Sequence, residues 1–103
     1  ATLLNWQRKG ERCELFDVRT QAEIDRGIIP DAQILPLHLL PLQGEKIESA
    51  ATAGKAIIYC RTGARSAQAC ALMARRGIKE VYNLQGGIVA WQRAGGKLVR
   101  PTD

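Results

Sequence analysis

The segment KAIIYCRTGARSA, residues 55–67, decides the fold. It begins with the apolar run Lys55–Tyr59, which is typical of a strand buried on both faces of a sheet. After a short loop, Ser66 is suited to cap a helix that we predict to run to Arg76 and to stop at Gly77. The segment therefore predicts a buried strand, a loop and a helix in direct succession.

Strand-like and helix-like runs alternate on both sides of this segment. Thr20 and Glu23 form a capping box at the start of an upstream helix. The stretch 37–53 is punctuated by Pro41 and Gly44, so we expect one or two short helices there. In total we predict strands at 14–18, 55–59 and 79–82, an extended piece at 33–36, a turn at 28–32, and further helices at 3–9, 20–26, 66–76 and 88–93.

This alternation predicts an α/β fold, with a small parallel sheet flanked by helices on both faces. In such folds the functional loops lie at the carboxyl ends of the strands, which is where Cys60 falls. No repeat or linker divides the chain, so we expect residues 1–103 to form a single domain. Since the chain starts at Ala1, we also expect it to be an excised or N-terminally trimmed piece of a longer protein.

The composition excludes several classes of protein. The net charge of +5 is spread along the chain rather than gathered in a basic stripe, so we predict no nucleic-acid partner. The longest apolar stretch, 34–42, is too short and too interrupted to be a membrane segment. We expect a cytoplasmic protein, and leave a periplasmic or membrane-anchored parent protein as the alternative. Three cysteines make a disulfide framework improbable, so we interpret all of them as thiols.

The loop that follows the strand carries the chemistry. Cys60 lies between a buried strand and a helix, in a loop where Gly63 allows a sharp turn. Such a loop can direct several backbone N–H groups, and the positive end of the helix dipole, towards one anion. Arg61 and Arg65 add positive charge. All of these should lower the pKa of the Cys60 thiol and make it a nucleophile without a histidine base.

The other candidate side chains favour structural roles. His38 lies in a proline-flanked loop, where packing is a better explanation than catalysis. Cys70 belongs to a small-residue helix face that is suited to burial, and Cys13 begins a strand. The three cysteines lack the spacing of metal ligands. We therefore predict neither a metal site nor a cofactor.

Three blocks of the sequence resemble the single-domain type of the rhodanese-like sulfurtransferase family. The resemblance covers nearly the whole chain, and the blocks occur in the family's order. They are Asp17-Val18-Arg19 with Glu23 and Gly27-Ile28-Ile29-Pro30-Asp31-Ala32; Cys60-Arg61-Thr62-Gly63-Ala64-Arg65-Ser66; and Asn83-Leu84-Gln85-Gly86-Gly87-Ile88 with Ala90-Trp91. The family often has His-Ile-Pro-Gly-Ala where this chain has residues 28–32, and its usual short first strand has no counterpart ahead of residue 3.

The resemblance implies an enzyme, a thiosulfate-type sulfurtransferase. Cys60 would take a sulfane sulfur from a small anionic donor such as thiosulfate, hold it as a persulfide, and pass it to a thiol or to cyanide. A protein sulfur donor or acceptor is a further partner. The substrate-binding residues would be Arg61, Thr62, Gly63, Ala64 and Arg65, supported by Asp17, Arg19 and Ser66.

The sequence does not decide which of Arg61 and Arg65 contacts the substrate. One would bind the anionic donor while the other braces the loop against a carboxylate such as Glu23 or Asp17. We prefer Arg61 for substrate contact because it directly follows the nucleophile, and we expect Asp17 and Arg19 to be framework residues.

Two other functions remain open. A non-enzymatic persulfide carrier or interaction module in a larger protein would share the same loop. A cysteine-loop phosphatase is disfavoured, because its loop has one more residue between cysteine and arginine than the four found here between Cys60 and Arg65. A shorter loop suits a lone sulfur atom better than a phosphoryl group.

Overall fold

The computed structural model describes residues 12–101; the helix predicted at 3–9 lies outside the described residues. The predicted strands are confirmed with small shifts of their ends. They are β1 (Cys13–Asp17), β2 (Gln33–Ile34), β3 (Lys55–Tyr59) and β4 (Val81–Asn83). These four strands form one sheet in the order β2-β1-β3-β4, and every neighbouring pair is parallel.

The helices of the described part connect these strands. They are α1 (Gln21–Ile24), a 3-10 helix (Leu37–Leu39), α2 (Leu40–Ala53), α3 (Ala64–Arg75) and α4 (Gly87–Arg93). None of them is both long and apolar enough to cross a bilayer.

The sheet is covered on both faces, as the sequence predicts. Successive side chains of a strand point to opposite faces. On one face Phe16 and Ile58 belong to a buried cluster with residues of α2 and α3. On the other face Leu15 and Ile57 belong to a cluster that contains Trp91 of α4.

The capping box predicted for α1 is present. The Glu23 backbone N–H donates to Thr20 Oγ1 at 3.4 Å, and the Thr20 N–H donates to Glu23 Oε1 at 3.2 Å. The box begins α1 directly after β1, so it fixes Glu23 near the carboxyl ends of the strands.

The prediction of only short helices between residues 37 and 53 is wrong. Helix α2 has 14 residues and passes through Gly44 without a break. Pro41 falls in its first turn, where a missing N–H is tolerated. Gly44 is buried in this helix, and a Cβ atom there would lie 2.5 Å from Arg76 Nη1 and 3.2 Å from Met73 Cε, the ends of two flexible side chains at the end of α3.

The prediction that Ser66 caps the following helix is also wrong. Helix α3 begins at Ala64, and Gly63, with φ of 112°, occupies the N-cap position. Ser66 therefore lies in the first turn, fully buried. A serine cap is dispensable here, because backbone N–H groups at this end of the helix donate to the sulfur of Cys60.

Candidate active site

Cys60 follows β3 at the carboxyl edge of the sheet and is 1% exposed. Because β3 is a central strand, with β1 and β4 on its two sides, this edge is framed by the loops that follow all three strands. Cys60 is thus buried beneath the loop that it begins.

Several donors converge on the Cys60 sulfur. The Gly63 N–H donates to Sγ at 3.1 Å, and the Ser66 N–H does so at 3.5 Å. The hydroxyl oxygen of Ser66 also lies close, with Oγ 3.4 Å from Sγ. Together with the N-terminal end of α3, these groups form an anion cradle around one sulfur atom.

The cradle changes the acidity of the thiol. Burial raises the pKa of Cys60, since it disfavours the thiolate. The hydrogen bonds from the Ser66 hydroxyl and from the N–H groups of Ser66, Gly63 and Thr62 lower it, and the net direction is below the ordinary value. The direction agrees with the prediction from the sequence, but the main lowering contributions come from the Ser66 hydroxyl and the backbone N–H groups rather than from the charges of Arg61 and Arg65.

Asn83 holds this cradle from the neighbouring strand β4. Its Nδ2 donates to the Gly63 carbonyl at 3.1 Å, and its Oδ1 accepts from Ser66 Oγ at 2.6 Å. Sequence reasoning missed this residue. Its only signal was its place as the first residue of the third family-like block, which says nothing about the partners of its side chain.

Helix α4 packs against the backbone of the Cys60 loop. The Ile88 N–H donates to the Cys60 carbonyl at 2.9 Å, and the Val89 N–H donates to the Arg61 carbonyl at 3.2 Å. This approach requires glycine at position 87, where φ is +61° and a Cβ atom would overlap both of those carbonyl oxygens. The carbonyls of the loop are thereby turned away from the sulfur, which leaves the N–H groups to face it.

Arg65 ties the helix that follows the Cys60 loop to Glu23 of α1. Its Nη1 and Nη2 donate to the two carboxylate oxygens of Glu23 at 2.6 and 2.9 Å. The hydrogen bonds from Arg65 are the main reason why the pKa of Glu23 falls to about 2. With its fork occupied by Glu23, Arg65 is less available than Arg61 to an incoming anion.

Arg61 points to an open cleft. The cleft has a volume of about 340 Å³, and its lining includes Arg61, Arg26 and Gln92. Within residues 12–101 the Arg61 guanidinium has no hydrogen bond or ion pair. It is therefore a cation available for an anionic ligand, in the residue that directly follows Cys60.

Asp17 and Arg19 form a buried pair beside the site. Arg19 Nε and Nη2 donate to the Asp17 carboxylate at 2.8–3.0 Å, and Nη2 also donates to the Gly27 carbonyl at 2.7 Å. Both side chains are at least 94% buried. The pair ties the end of β1 to the turn after α1, an arrangement that fits a framework role.

The remaining candidates are not brought to the sulfur. Burial raises the pKa of the Cys70 thiol to about 11, and Cys70 packs against the cluster between the sheet and helices α2 and α3. Cys13 lies in β1, half-buried. His38 lies exposed in the 3-10 helix and lines a groove together with Arg65. Nothing in these positions suggests a second nucleophile or a general base.

Comparison with known proteins places this geometry in context. The family model of the rhodanese-like domain matches residues 1–94. A sulfurtransferase of Allochromatium vinosum is 49% identical over 87 residues, which cover 84% of this chain and 78% of that protein. The probable adenylyltransferase/sulfurtransferase MoeZ of Mycobacterium tuberculosis is 38% identical over 88% of this chain, but over only 23% of its own length.

Solved structures share the fold. A rhodanese-like domain protein from Staphylococcus aureus superimposes with a TM-score of 0.78 at 29% identity, over 97% of this chain and 92% of that one. A protein of unknown function from Rhodopseudomonas palustris, described as a possible tyrosine phosphatase, superimposes with a TM-score of 0.76 at 27% identity. The latter match covers 94% of this chain and 79% of the other.

Proposed function

The chain belongs to the rhodanese-like family of sulfurtransferases, and on that premise we propose that Cys60 carries sulfur as a persulfide. The donor is a small anionic sulfane compound such as thiosulfate, and the acceptor is a thiol or cyanide. The observation that carries the proposal is the convergence of two backbone N–H groups, those of Gly63 and Ser66, on Cys60 Sγ, with the Ser66 hydroxyl 3.4 Å from the same sulfur.

The reaction needs a thiolate twice. The Cys60 thiolate attacks the outer sulfur of thiosulfate; the sulfur–sulfur bond breaks, and sulfite leaves with the electron pair. The product is a persulfide anion on Cys60, which the same N–H groups can stabilise. An acceptor thiolate then attacks the outer sulfur, and Cys60 leaves as the thiolate. Donors that stabilise the anion therefore assist both halves of the cycle.

The shape and charge of the site favour a small anionic donor. A nucleophile in a residue only 1% exposed admits slim reagents and excludes bulky ones. Arg61 has no partner within the described chain and lines the adjoining cleft, so it is the side chain that we assign to the sulfonate group of the donor.

The loop length separates this proposal from phosphatase chemistry. A phosphoryl group needs a cradle with room for several oxygens, whereas here Gly63 and Ser66 N–H groups lie 3.1 and 3.5 Å from the cysteine sulfur itself.

A persulfide carrier is the second candidate function. It is favoured by the match to MoeZ, in which the matching region is under a quarter of the whole protein. In that case residues 1–103 act as one domain of a longer protein, and the donor or acceptor is another protein.

The decisive test is the intact mass after incubation with thiosulfate and removal of excess reagent. We expect a gain of one sulfur atom, about 32 Da, that cyanide or dithiothreitol removes. Cys13→Ser and Cys70→Ser are the matched controls and should still gain the mass, while Cys60→Ser should not. Uptake by Cys60→Ser, or an adduct mapped to another cysteine, would refute the assignment.

A turnover measurement separates the enzyme from the carrier. Steady thiosulfate:cyanide turnover supports the enzyme. Formation of the persulfide without useful turnover, combined with rapid transfer from a protein persulfide, supports the carrier.

A further inference from the structure

The hydroxyl of Ser66 has one proton and two competing acceptors. Ser66 Oγ lies 2.6 Å from Asn83 Oδ1 and 3.4 Å from Cys60 Sγ. The orientation of the Asn83 amide is fixed, because its Nδ2 donates to the Gly63 carbonyl. Asn83 Oδ1 is an acceptor only, so the contact at 2.6 Å uses the Ser66 proton.

The hydrogen bonds must therefore differ between the two states of Cys60. With a neutral thiol, S–H donates to Ser66 Oγ, and the Ser66 hydroxyl donates to Asn83 Oδ1. With a thiolate, Sγ has no proton and can only accept. The Ser66 hydroxyl then rotates so that it donates its hydrogen bond to the thiolate, and Asn83 Oδ1 loses its donor. Asn83 is exposed, so water can replace that donor.

We propose that Asn83 is a positioning residue that holds the Ser66 proton away from Cys60 in the thiol state and releases it to the sulfur when Cys60 ionises. The thiol proton leaves to solvent, and the serine proton stays on its oxygen throughout. The inference deepens the proposed function, on which its catalytic relevance rests, since the same hydroxyl faces the sulfur in each half of the sulfur-transfer cycle.

Asn83 has a second effect that the test must separate from this one. By holding the Gly63 carbonyl, Asn83 also supports the turn that directs the Gly63 N–H at Sγ. Removing the amide therefore loosens the cradle, which raises the pKa of Cys60, and frees the Ser66 hydroxyl, which lowers it. Only the second effect requires Ser66.

A double-mutant cycle isolates the part that passes through the hydroxyl. The four proteins are the parent, Asn83→Leu, Ser66→Ala and the double variant. The readout is the rate of iodoacetamide alkylation at Cys60 as a function of pH, mapped by mass spectrometry. This gives the thiol pKa without any sulfur transfer, so the result is independent of the mass test for the proposed function.

The contributions of the other charged groups near the sulfur to the Cys60 pKa cancel in this cycle. They are Arg65 on α3, Glu23 on α1, Asp17 on β1 and Arg61 in the loop. All four proteins of the cycle keep them, and circular dichroism is the check that each variant is folded.

We expect Asn83→Leu to shift the Cys60 acid dissociation constant differently in the two backgrounds. When Ser66 is present, the Cys60 acid dissociation constant of Asn83→Leu should be about threefold to tenfold higher than the loosened cradle alone would give. In the Ser66→Ala background this increase should be absent. Equal shifts in both backgrounds would overturn the proposal.

A second substitution covers the case in which Asn83→Leu does not fold. Asn83→Asp strengthens the acceptor at the same position, so it should hold the Ser66 proton more firmly. The Cys60 pKa should then rise more with Ser66 present than in the Ser66→Ala background, where the added charge and the lost hydrogen bond to the Gly63 carbonyl act without the hydroxyl. An equal rise in both backgrounds would again overturn the proposal.

Discussion

Glu23 and Arg65 are 42 positions apart in the sequence, yet both nitrogens of the Arg65 fork donate to the Glu23 carboxylate, at 2.6 and 2.9 Å. Glu23 is fixed at the start of α1 by its capping box, and Arg65 lies in the first turn of α3. The pair therefore joins the start of the helix that follows Cys60 to the short helix that follows β1. It is the basis on which we propose different roles for Arg61 and Arg65.

We predict that Arg61→Ala weakens the use of thiosulfate while the fold keeps its stability. A charge-assisted contact to an anion contributes about 1.5–3 kcal/mol, so kcat/KM should fall about tenfold to a hundredfold. Steady-state kinetics and thermal unfolding are the measurements. An unchanged KM for thiosulfate together with a large drop in melting temperature would make Arg61 the brace instead.

Arg65→Ala is the matched comparison for that variant. It removes the ion pair with Glu23, so we expect a loss of about 1 kcal/mol of unfolding free energy, because both partners are partly open to solvent. Donor binding should suffer less than in Arg61→Ala. A larger effect of Arg65→Ala on the thiosulfate KM would reverse the assignment.

The same ion pair predicts a loss of stability in acid. The pKa of Glu23 is lowered from 4.5 to about 2, chiefly by its hydrogen bonds with Arg65. A lowered pKa in the folded state stabilises the protein above pH 4.5, and this contribution is lost as the pH falls from 4.5 towards 2. Urea unfolding of the parent and of Glu23→Gln should differ by about 1 kcal/mol at neutral pH and converge in this window.

The control for the acid prediction is the Arg65→Ala background. There Glu23→Gln should have little effect on stability at any pH, because the partner that lowers the pKa is gone. A full difference that persists in this background would assign the stabilisation to the capping box of Thr20 rather than to the ion pair.

Lengthening the loop should impair sulfur transfer. One glycine inserted between Gly63 and Ala64 moves the Gly63 and Ser66 N–H groups so that they no longer converge on Sγ. Losing one such hydrogen bond to a charged acceptor is enough for a tenfold reduction in turnover, which needs only about 1.4 kcal/mol. Thiosulfate:cyanide turnover is the assay, with circular dichroism to show that the variant is folded. Undiminished turnover would mean that loop size does not tune this site.

Gly87→Ala should damage both the loop and the fold. The added Cβ would overlap the carbonyl oxygens of Cys60 and Arg61, and the backbone is in the left-handed region. We expect a loss of about 2–5 kcal/mol in unfolding free energy, combined with slower sulfur uptake. Gly77→Ala is the control, since φ is +78° but no atom lies within 4 Å of its Cβ position; it should cost about 1–2 kcal/mol and leave uptake unchanged. Equal losses would rule out the steric explanation.

Local features of the sequence were sufficient to predict most of the fold. Lys55–Tyr59 is a strand in the structure as predicted, because an unbroken apolar run of that length is stable chiefly when both faces are covered. The capping box at Thr20 and Glu23 formed because both partners lie within one helical turn. The position of Cys60, between a strand and a helix, follows from the same local patterns.

The structure was needed wherever partners are distant in sequence. Gly44 looked like a helix breaker, but it is a contact point between α2 and α3. Ser66 looked like a cap, but its hydroxyl is buried between Cys60 and Asn83. No local pattern reports either contact, because each depends on how separate elements pack.

The sequence by itself thus determined that a cysteine would sit at the carboxyl edge of a parallel sheet, in the loop between a buried strand and a helix. Only the tertiary structure decided which side chains serve that loop. In the structure Arg65 pairs with Glu23, Arg61 lines the open cleft, and the Ser66 hydroxyl donates to Asn83. Backbone conformation is encoded mainly by neighbouring residues, whereas the partner of a polar side chain is chosen by the packing that brings distant strands and helices to one edge.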